Sequence, residues 1–260
     1  MLRRDFLVRS AAGLGAAAGI VAASAAQAAP AQKAVTWGLD GKAYEGMLVY
    51  DSSVSTKRPI IFMQPDWYGV SAETIAEATT IAGKDYIVLI ADMFGAGYAA
   101  RKKERAELMQ AVAERYKNLD FTLRAGAAAY AALLDAADKS GAADISKNRY
   151  AIGYCAGAGF LLEHARAGAD FKALTAFHVT NPNPSVEGTP CNIKGRVLAV
   201  HGAADPVTKK PKIDAFTEEL ERAKVDWQLV MISNMDHSLD GPNVRRRAHL
   251  LMRDFFAETV

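Results

Sequence analysis

Short apolar runs alternate along the chain, from about residue 34 onward, with longer segments in which apolar positions recur every three or four residues. The short runs, such as residues 87–90 and 197–200, are rich in β-branched residues and contain no polar positions. Such runs are typical of strands buried on both faces of a parallel sheet, whereas the longer segments have the period of helices. The sequence therefore predicts an α/β domain with a mostly parallel central sheet and helices on both faces. The predicted strands are 44–50, 59–63, 86–91, 149–154, 173–179, 197–201 and 228–232, and the predicted helices are 72–82, 102–116, 119–137, 156–167, 211–223 and 243–256.

The first 28 residues differ in composition from the rest of the chain. Arg3 and Arg4 are followed by Phe6, residues 11–29 carry no charge, and alanines stand at positions 26 and 28. This arrangement resembles a twin-arginine signal peptide, 1–28, with a cleavage site of small residues. A membrane anchor is the alternative, but glycines, a serine and a glutamine dilute the apolar stretch. We expect the twin-arginine export machinery as a partner, cleavage, a periplasmic product and no stable membrane anchor.

Residues 29–260 contain no internal repeat and no proline-rich linker, which predicts a single domain. The chain has 31 Lys and Arg against 29 Asp and Glu, and the first 28 residues account for the whole surplus. A nucleic-acid partner is therefore not expected, because such proteins carry a basic surplus. Two cysteines exclude a disulfide framework and a four-thiolate zinc site. We expect neither a metal nor an organic cofactor.

The candidate nucleophile is Cys155. The predicted strand 149–154 runs directly into the predicted helix 156–167, and Gly153 and Gly157 flank the cysteine at the point of change. This is the pattern of a nucleophile elbow with cysteine in place of serine. The helix N-terminus favours a thiolate at Cys155, and the backbone N–H of Ala156 is placed to bind an oxyanion.

Two further residues follow the strands nearest the C-terminus. Asp205 lies in the loop after the strand at 197–201, and His237 lies in the loop after the strand at 228–232. The chain order of nucleophile, acid and histidine is that of α/β-hydrolase triads. We expect His237 to act as the base for Cys155 and Asp205 to orient its imidazole. Asp236 competes for the orienting role, but neighbours in sequence rarely place their side chains face to face.

Over residues 37–256 the chain resembles the dienelactone hydrolase family of α/β-hydrolases. The resemblance implies the α/β-hydrolase fold and an ester or lactone substrate, with triad roles for Cys155, Asp205 and His237. It also implies that the backbone N–H of Trp67 is the second oxyanion donor and that Asp66 is an auxiliary acidic residue beside the nucleophile. The segments that carry the resemblance are 41–46, 64–70, 91–95, 152–157, 201–205 and 236–238.

The sequence departs from the family pattern at two places. Asp66 stands where the family loop carries glutamate, and residues 238–241, directly after His237, contain no arginine to grip a substrate carboxylate. We therefore expect a substrate other than a carboxylate-bearing dienelactone. The shorter side chain of Asp66 either couples weakly to the thiol or serves only the turn that contains it.

The leading hypothesis is an exported hydrolase that opens a lactone or cleaves a small ester through an acyl-thioester intermediate. One alternative is a catalytically silent binding protein that keeps the fold and the pocket. Another is a thiol-redox protein in which Cys155 and Cys191 form a disulfide in the oxidising periplasm.

Overall fold

The computed structural model of the protein describes residues 30–259, so the predicted signal peptide lies outside the described residues. Within that range, no helix is both long and apolar enough to cross a membrane. The strands are β1 (Pro30–Leu39), β2 (Lys42–Asp51), β3 (Ile60–Gln64), β4 (Ile87–Ile90), β5 (Arg149–Tyr154), β6 (Ala173–Phe177), β7 (Arg196–Gly202) and β8 (Trp227–Ile232). The helices are α1 (Ala72–Ala82), α2 (Arg105–Lys117), α3 (Leu119–Lys139), α4 (Ala156–Arg166), α5 (Lys210–Arg222) and α6 (Pro242–Ala257).

All eight strands belong to one sheet, in the order β1-β2-β4-β3-β5-β6-β7-β8. The pairs β1/β2 and β2/β4 are antiparallel, and the pairs from β4 to β8 are parallel. The predicted mostly parallel sheet is confirmed. Because β5, β6, β7 and β8 are consecutive neighbours, the loops that follow them emerge side by side along one edge.

The edge strand β1 was not predicted. It pairs with β2 along its whole length through a tight turn in which Asp40 and Gly41 both have positive φ, at 50° and 74°. Most of its side chains are exposed or half-buried, so it lacks the continuous apolar run that marks the central strands. Helix α2 also begins later than expected, at Arg105, where the Glu107 side chain accepts a hydrogen bond from the Glu104 N–H at 2.9 Å.

The core has two layers, one on each face of the sheet. Along β3, Ile60 and Phe62 pack with α3, α4 and α5, whereas Ile61 and Met63 pack with α1 and α6. Successive strand residues therefore point to opposite layers, as the period of a strand requires. This explains why the central strands contain no polar alternation.

A buried ion pair ties the loop after β6 to the helices. The guanidinium of Arg166, which is 0% exposed, donates to both carboxylate oxygens of Glu219 at 2.7 Å. It also donates to the carbonyl of Pro182 at 2.5 Å. The loop after β6 is thus fixed to α4 and α5.

Candidate active site

Cys155 stands at a strained turn between β5 and α4. Its φ of 53° and ψ of −119° lie in a region that residues with side chains rarely adopt. Its N–H donates to the Phe177 carbonyl at 3.1 Å, and its carbonyl accepts from the Thr180 N–H at 3.0 Å. A Cβ on Gly157 would lie 2.1 Å from the carbonyl oxygen of Pro65, so only glycine fits there. The structure has the abrupt turn that the sequence predicts.

Cys155, His237 and Asp205 come together in a continuous set of hydrogen bonds. Sγ of Cys155 lies 3.1 Å from Nε2 of His237, and Nδ1 of His237 lies 2.7 Å from Oδ2 of Asp205. Because a carboxylate only accepts, Nδ1 carries a proton and Nε2 faces the sulfur.

The electrostatics favour a protonated imidazole at His237. Burial alone would lower its pKa, but the hydrogen bond and the charge of Cys155, together with Asp205, raise the pKa to about 9. At neutral pH the ring is therefore positively charged beside the sulfur. A positively charged neighbour favours the thiolate form of a cysteine.

Asp205 is held rigidly in place. Its side chain is 1% exposed, and its Oδ1 accepts from the N–H groups of Val207 and Thr208 at 2.7 Å and 3.0 Å. Nε2 of His201 lies 3.1 Å from its Oδ2 and 2.9 Å from the Thr208 carbonyl. Asp236 instead accepts from the backbone and hydroxyl of the nearby Ser238, so it is not the partner of His237.

Thr180 contacts both Cys155 and His237, and the sequence analysis does not identify it. Its hydroxyl lies 3.3 Å from Sγ of Cys155 and 3.4 Å from Nε2 of His237. The Tyr116 hydroxyl donates to the carbonyls of Thr180 and Ala156, at 3.1 Å and 3.3 Å, which holds the two segments together. The neighbouring position of β5 and β6 was the signal that could have found Thr180.

The two expected oxyanion donors line the same pocket. Ala156 is the first residue of α4 and is buried, and Trp67 follows β3 in the loop beside it. The carbonyl of Trp67 accepts from the Tyr98 hydroxyl at 3.1 Å, and the Arg105 guanidinium lies 5.4 Å from the Trp67 ring centroid. These contacts fix the loop, while the oxyanion role of both amides stays a prediction.

Asp66 occupies the turn between β3 and α1. Its Oδ1 accepts from the Tyr68 N–H at 2.9 Å, and its carbonyl accepts from the Gly69 N–H at 3.1 Å. Burial is the main cause that raises its pKa, whereas the Tyr68 bond and the charge of His237 lower it. Among residues 30–259 its carboxylate makes no hydrogen bond to Cys155. The geometry therefore supports the turn role directly, and coupling to the thiol can act only through charge.

The candidate triad opens into a pocket of about 1340 Å³. This volume exceeds the roughly 300–1,000 Å³ of ordinary small-molecule sites. Exposed apolar side chains of Tyr68, Met109 and Val207 line it, at 48%, 55% and 47% exposure. Cationic side chains also line it: Arg101, Lys102, Lys103, Arg105, Lys117 and Arg245.

His178 is the second residue of the site that the sequence analysis does not identify. Its ring lies edge-on to that of His237, with centroids 5.1 Å apart, and its backbone φ is 36°. Burial, followed by the charge of His237, lowers its pKa to about 3, so the ring is neutral. Cys155, His178 and His237 offer three possible metal-ligand atoms within 4.8 Å of one another, a set that sequence spacing did not indicate.

Comparisons with known proteins agree with this geometry. A family model described as the dienelactone hydrolase family matches residues 45–248. The solved structure of m3DLH is 28% identical, covers 88% of this chain and 98% of its own, and has a TM-score of 0.77. The dienelactone hydrolase-like promiscuous phosphotriesterase P91 from metagenomic libraries is 27% identical, covers 89% and 99%, and has a TM-score of 0.75. Dienelactone hydrolase from Anabaena variabilis, 16% identical over 89% and 99% with a TM-score of 0.62, shares the fold. No curated protein sequence matches the chain.

Proposed function

The chain belongs to the dienelactone hydrolase family, ester-cleaving hydrolases of the α/β-hydrolase fold, and from this premise we propose that it opens lactones or cleaves small esters with Cys155 as nucleophile. The observation that carries the proposal is the hydrogen-bonded set of Cys155, His237 and Asp205, with separations of 3.1 Å and 2.7 Å. In this proposal Asp205 orients the imidazole, and the amides of Ala156 and Trp67 bind the oxyanion.

Acylation begins from the ion pair of Cys155 and His237. The sulfur forms a bond to the carbonyl carbon of the substrate, and the carbonyl oxygen takes the negative charge. When the intermediate collapses, the carbon–oxygen bond to the alcohol breaks, and the proton on Nε2 of His237 goes to the leaving oxygen. With a lactone, the released alcohol remains part of the acyl group.

Deacylation uses the imidazole that has just become neutral. Nε2 of His237 removes a proton from water, and the resulting hydroxide adds to the thioester carbonyl. The carbon–sulfur bond then breaks, and Cys155 leaves as a thiolate beside the protonated imidazole. Asp205, which is buried and holds Nδ1, supports the positive charge in both steps.

The pocket supports a substrate with a bulky apolar part. Its volume of about 1340 Å³ and the exposed side chains of Tyr68, Met109 and Val207 favour an acyl or alcohol group larger than a single small ring. The cationic side chains of Arg101 and Lys102 offer a place for an anionic group, at a position other than the segment 238–241, which lacks the family's arginine.

The mature protein is proposed to act in the periplasm. Residues 1–28 support this, because Arg3 and Arg4 precede an uncharged segment that ends in small residues. Residues 29–260 then form the single catalytic domain. Export in the folded state would allow Cys155 to be enclosed in its turn before it meets an oxidising compartment.

Turnover on a substrate panel tests the proposal. The panel contains p-nitrophenyl esters of increasing acyl length, lactones, a dienelactone analogue and, because of the similarity to P91, a phosphotriester. The mature protein is compared with Cys155→Ala, and Cys191→Ala is the matched control. We expect turnover of at least one ester or lactone that is lost in Cys155→Ala and kept in Cys191→Ala. Activity that survives Cys155→Ala would refute the proposed nucleophile.

The two alternatives give different results in simple assays. A silent binding protein releases no burst of p-nitrophenol from an activated ester, whereas an acyl-thioester enzyme releases about one equivalent in its first turnover. A thiol-redox protein has no free thiol when isolated without reductant. Sγ of Cys155 lies 3.1 Å from Nε2 of His237, a contact that a hydrolase needs and a disulfide with Cys191 does not, which favours the hydrolase.

A further inference from the structure

Three side chains suited to a soft divalent cation converge at the candidate nucleophile. Sγ of Cys155 and a ring nitrogen from each of His178 and His237 lie within 4.8 Å of one another. Thiolate sulfur and imidazole nitrogen are the ligands that Zn²⁺ prefers in proteins. The three residues come from the turn after β5, the end of β6 and the loop after β8, so only the fold brings them together.

His178 has no task in the proposed reaction. Nδ1 of its ring is buried and has no hydrogen-bond partner among residues 30–259. A buried polar atom without a partner is costly, and in native proteins it calls for an explanation such as a bound ion. The ring also lines the pocket that contains Cys155 and His237.

We propose that Cys155, His178 and His237 form a reversible Zn²⁺ site that caps the nucleophile. A tetrahedral ion with Zn–S of about 2.3 Å and Zn–N of about 2.1 Å needs ligand atoms roughly 3.4–3.6 Å apart. Sγ of Cys155 and Nε2 of His237 are already 3.1 Å apart. The site closes when the ring nitrogen of His178, which lies within 4.8 Å of both atoms, moves to about 3.5 Å from them, and the fourth position of the ion stays open to water. Cys155 binds as thiolate, and any proton on Sγ or on Nε2 of His237 passes to solvent.

The surroundings of His237 fit this use. Asp205 lies 2.7 Å from Nδ1, which leaves Nε2 directed at the metal in a carboxylate–histidine–zinc arrangement. The bound ion occupies the space that a substrate carbonyl needs next to the sulfur, so Zn²⁺ and ester exclude each other. This inhibition rests on the proposed function, whereas the binding of Zn²⁺ does not.

Cobalt is the spectroscopic probe for the site. Co²⁺ alone is titrated into the reduced mature chain, and the near-ultraviolet band of thiolate-to-cobalt charge transfer is followed before and after Zn²⁺ is added. We expect a band that saturates at one Co²⁺ per chain, that Zn²⁺ abolishes, and that is missing in Cys155→Ser. We expect His178→Asn to weaken Zn²⁺ binding by at least about 10-fold. Asparagine is chosen because it tolerates the positive φ at this position.

His249→Gln is the matched control for the loss of a histidine. His249 lines the same pocket and lies 2.8 Å from Glu77, so it tests for Zn²⁺ binding elsewhere in the pocket. We expect this variant to bind Zn²⁺ as the wild type does. Wild-type affinity in His178→Asn, with its fold verified by circular dichroism, would overturn the proposal, as would a wild type without the thiolate band.

The two cysteines provide a second measurement that needs no variant. The rate of iodoacetamide alkylation at each cysteine is measured by mass spectrometry with and without Zn²⁺. We expect Zn²⁺ to slow the alkylation of Cys155 and to leave Cys191 unchanged. Equal protection of both thiols, or of neither, contradicts the site. Because neither measurement uses ester turnover, a protein that binds Zn²⁺ but cleaves no ester rejects the proposed function alone.

Discussion

His164 makes a specific prediction about the pH dependence of stability. It lies on α4, fully buried, where its Nδ1 faces the Gln64 amide nitrogen at 3.0 Å and its Nε2 faces the Thr122 carbonyl at 3.2 Å. Burial is the largest cause that lowers its pKa, from 6.5 to about 4, and no charged side chain contributes. Gln64 ends β3 immediately before the loop with Asp66 and Trp67, so this histidine also supports the pocket wall.

The sign and size of the effect follow from the two pKa values. Because the native pKa is below the unfolded one, the unfolded chain binds more protons between pH 6.5 and pH 4. The contribution of His164 to the free energy of unfolding is fully present above pH 6.5. It falls as the pH drops towards 4, by about 3 kcal/mol in total. Between pH 7.5 and pH 5 the expected loss from this residue is about 2 kcal/mol.

Urea unfolding at pH 7.5 and pH 5 of the wild type and His164→Gln measures this contribution. Glutamine keeps one donor and one acceptor but does not titrate. Whatever its effect at pH 7.5, we expect the variant to lose about 2 kcal/mol less than the wild type on acidification. If His164→Gln loses as much stability as the wild type, the buried neutral histidine is not the cause.

Four further predictions concern the site and the export signal. Asp205→Asn should lower turnover by about 10²–10⁴ by disturbing the imidazole, and Asp236→Asn should leave it near the wild-type value; the opposite ranking would show that the acid is misassigned. Cys155→Ala and His237→Ala should each remove most activity and the double variant little more, so losses that multiply would mean that the two residues act separately. Asp66→Asn should shift the pH profile of Cys155 alkylation to lower pH, because a negative charge near the sulfur is removed; an unshifted profile leaves Asp66 as a turn residue. Arg3→Lys with Arg4→Lys should block translocation, and an unchanged periplasmic yield of the double variant would reject the twin-arginine signal.

The central sheet and the meeting of Cys155, Asp205 and His237 could be anticipated from the sequence for related reasons. Buried parallel strands have a distinctive apolar pattern, and the loops that follow neighbouring strands open at the same edge. The glycines that flank Cys155 indicate that other backbone segments approach the turn closely, and this requirement is visible in the local sequence. The order of the strands and loops along the chain then identifies Asp205 and His237 as the partners of Cys155, although no distance is known from the sequence.

Other features depend on contacts that leave no local pattern. The edge strand β1 is largely exposed, so its register with β2 could not be inferred from apolar positions. Arg166 and Glu219 are far apart in the sequence and look like ordinary surface charges until the fold buries them together. His178 and Thr180 follow β6 and lie close to Cys155 because β6 pairs with β5, which leaves no local pattern in the sequence.

The strained backbone at Cys155 makes the shape of the site independent of the identity of its proposed attacking atom. The pivot is held by the Phe177 carbonyl, the Thr180 N–H and the glycine at 157, and none of these contacts involves the sulfur. A single nucleotide change from a cysteine to a serine codon therefore leaves the pivot intact and exchanges sulfur for oxygen. His237 would then have to remove a proton rather than hold one. During evolution, either nucleophile can therefore arise on this fold and be selected for a new substrate without a change in the backbone of the turn.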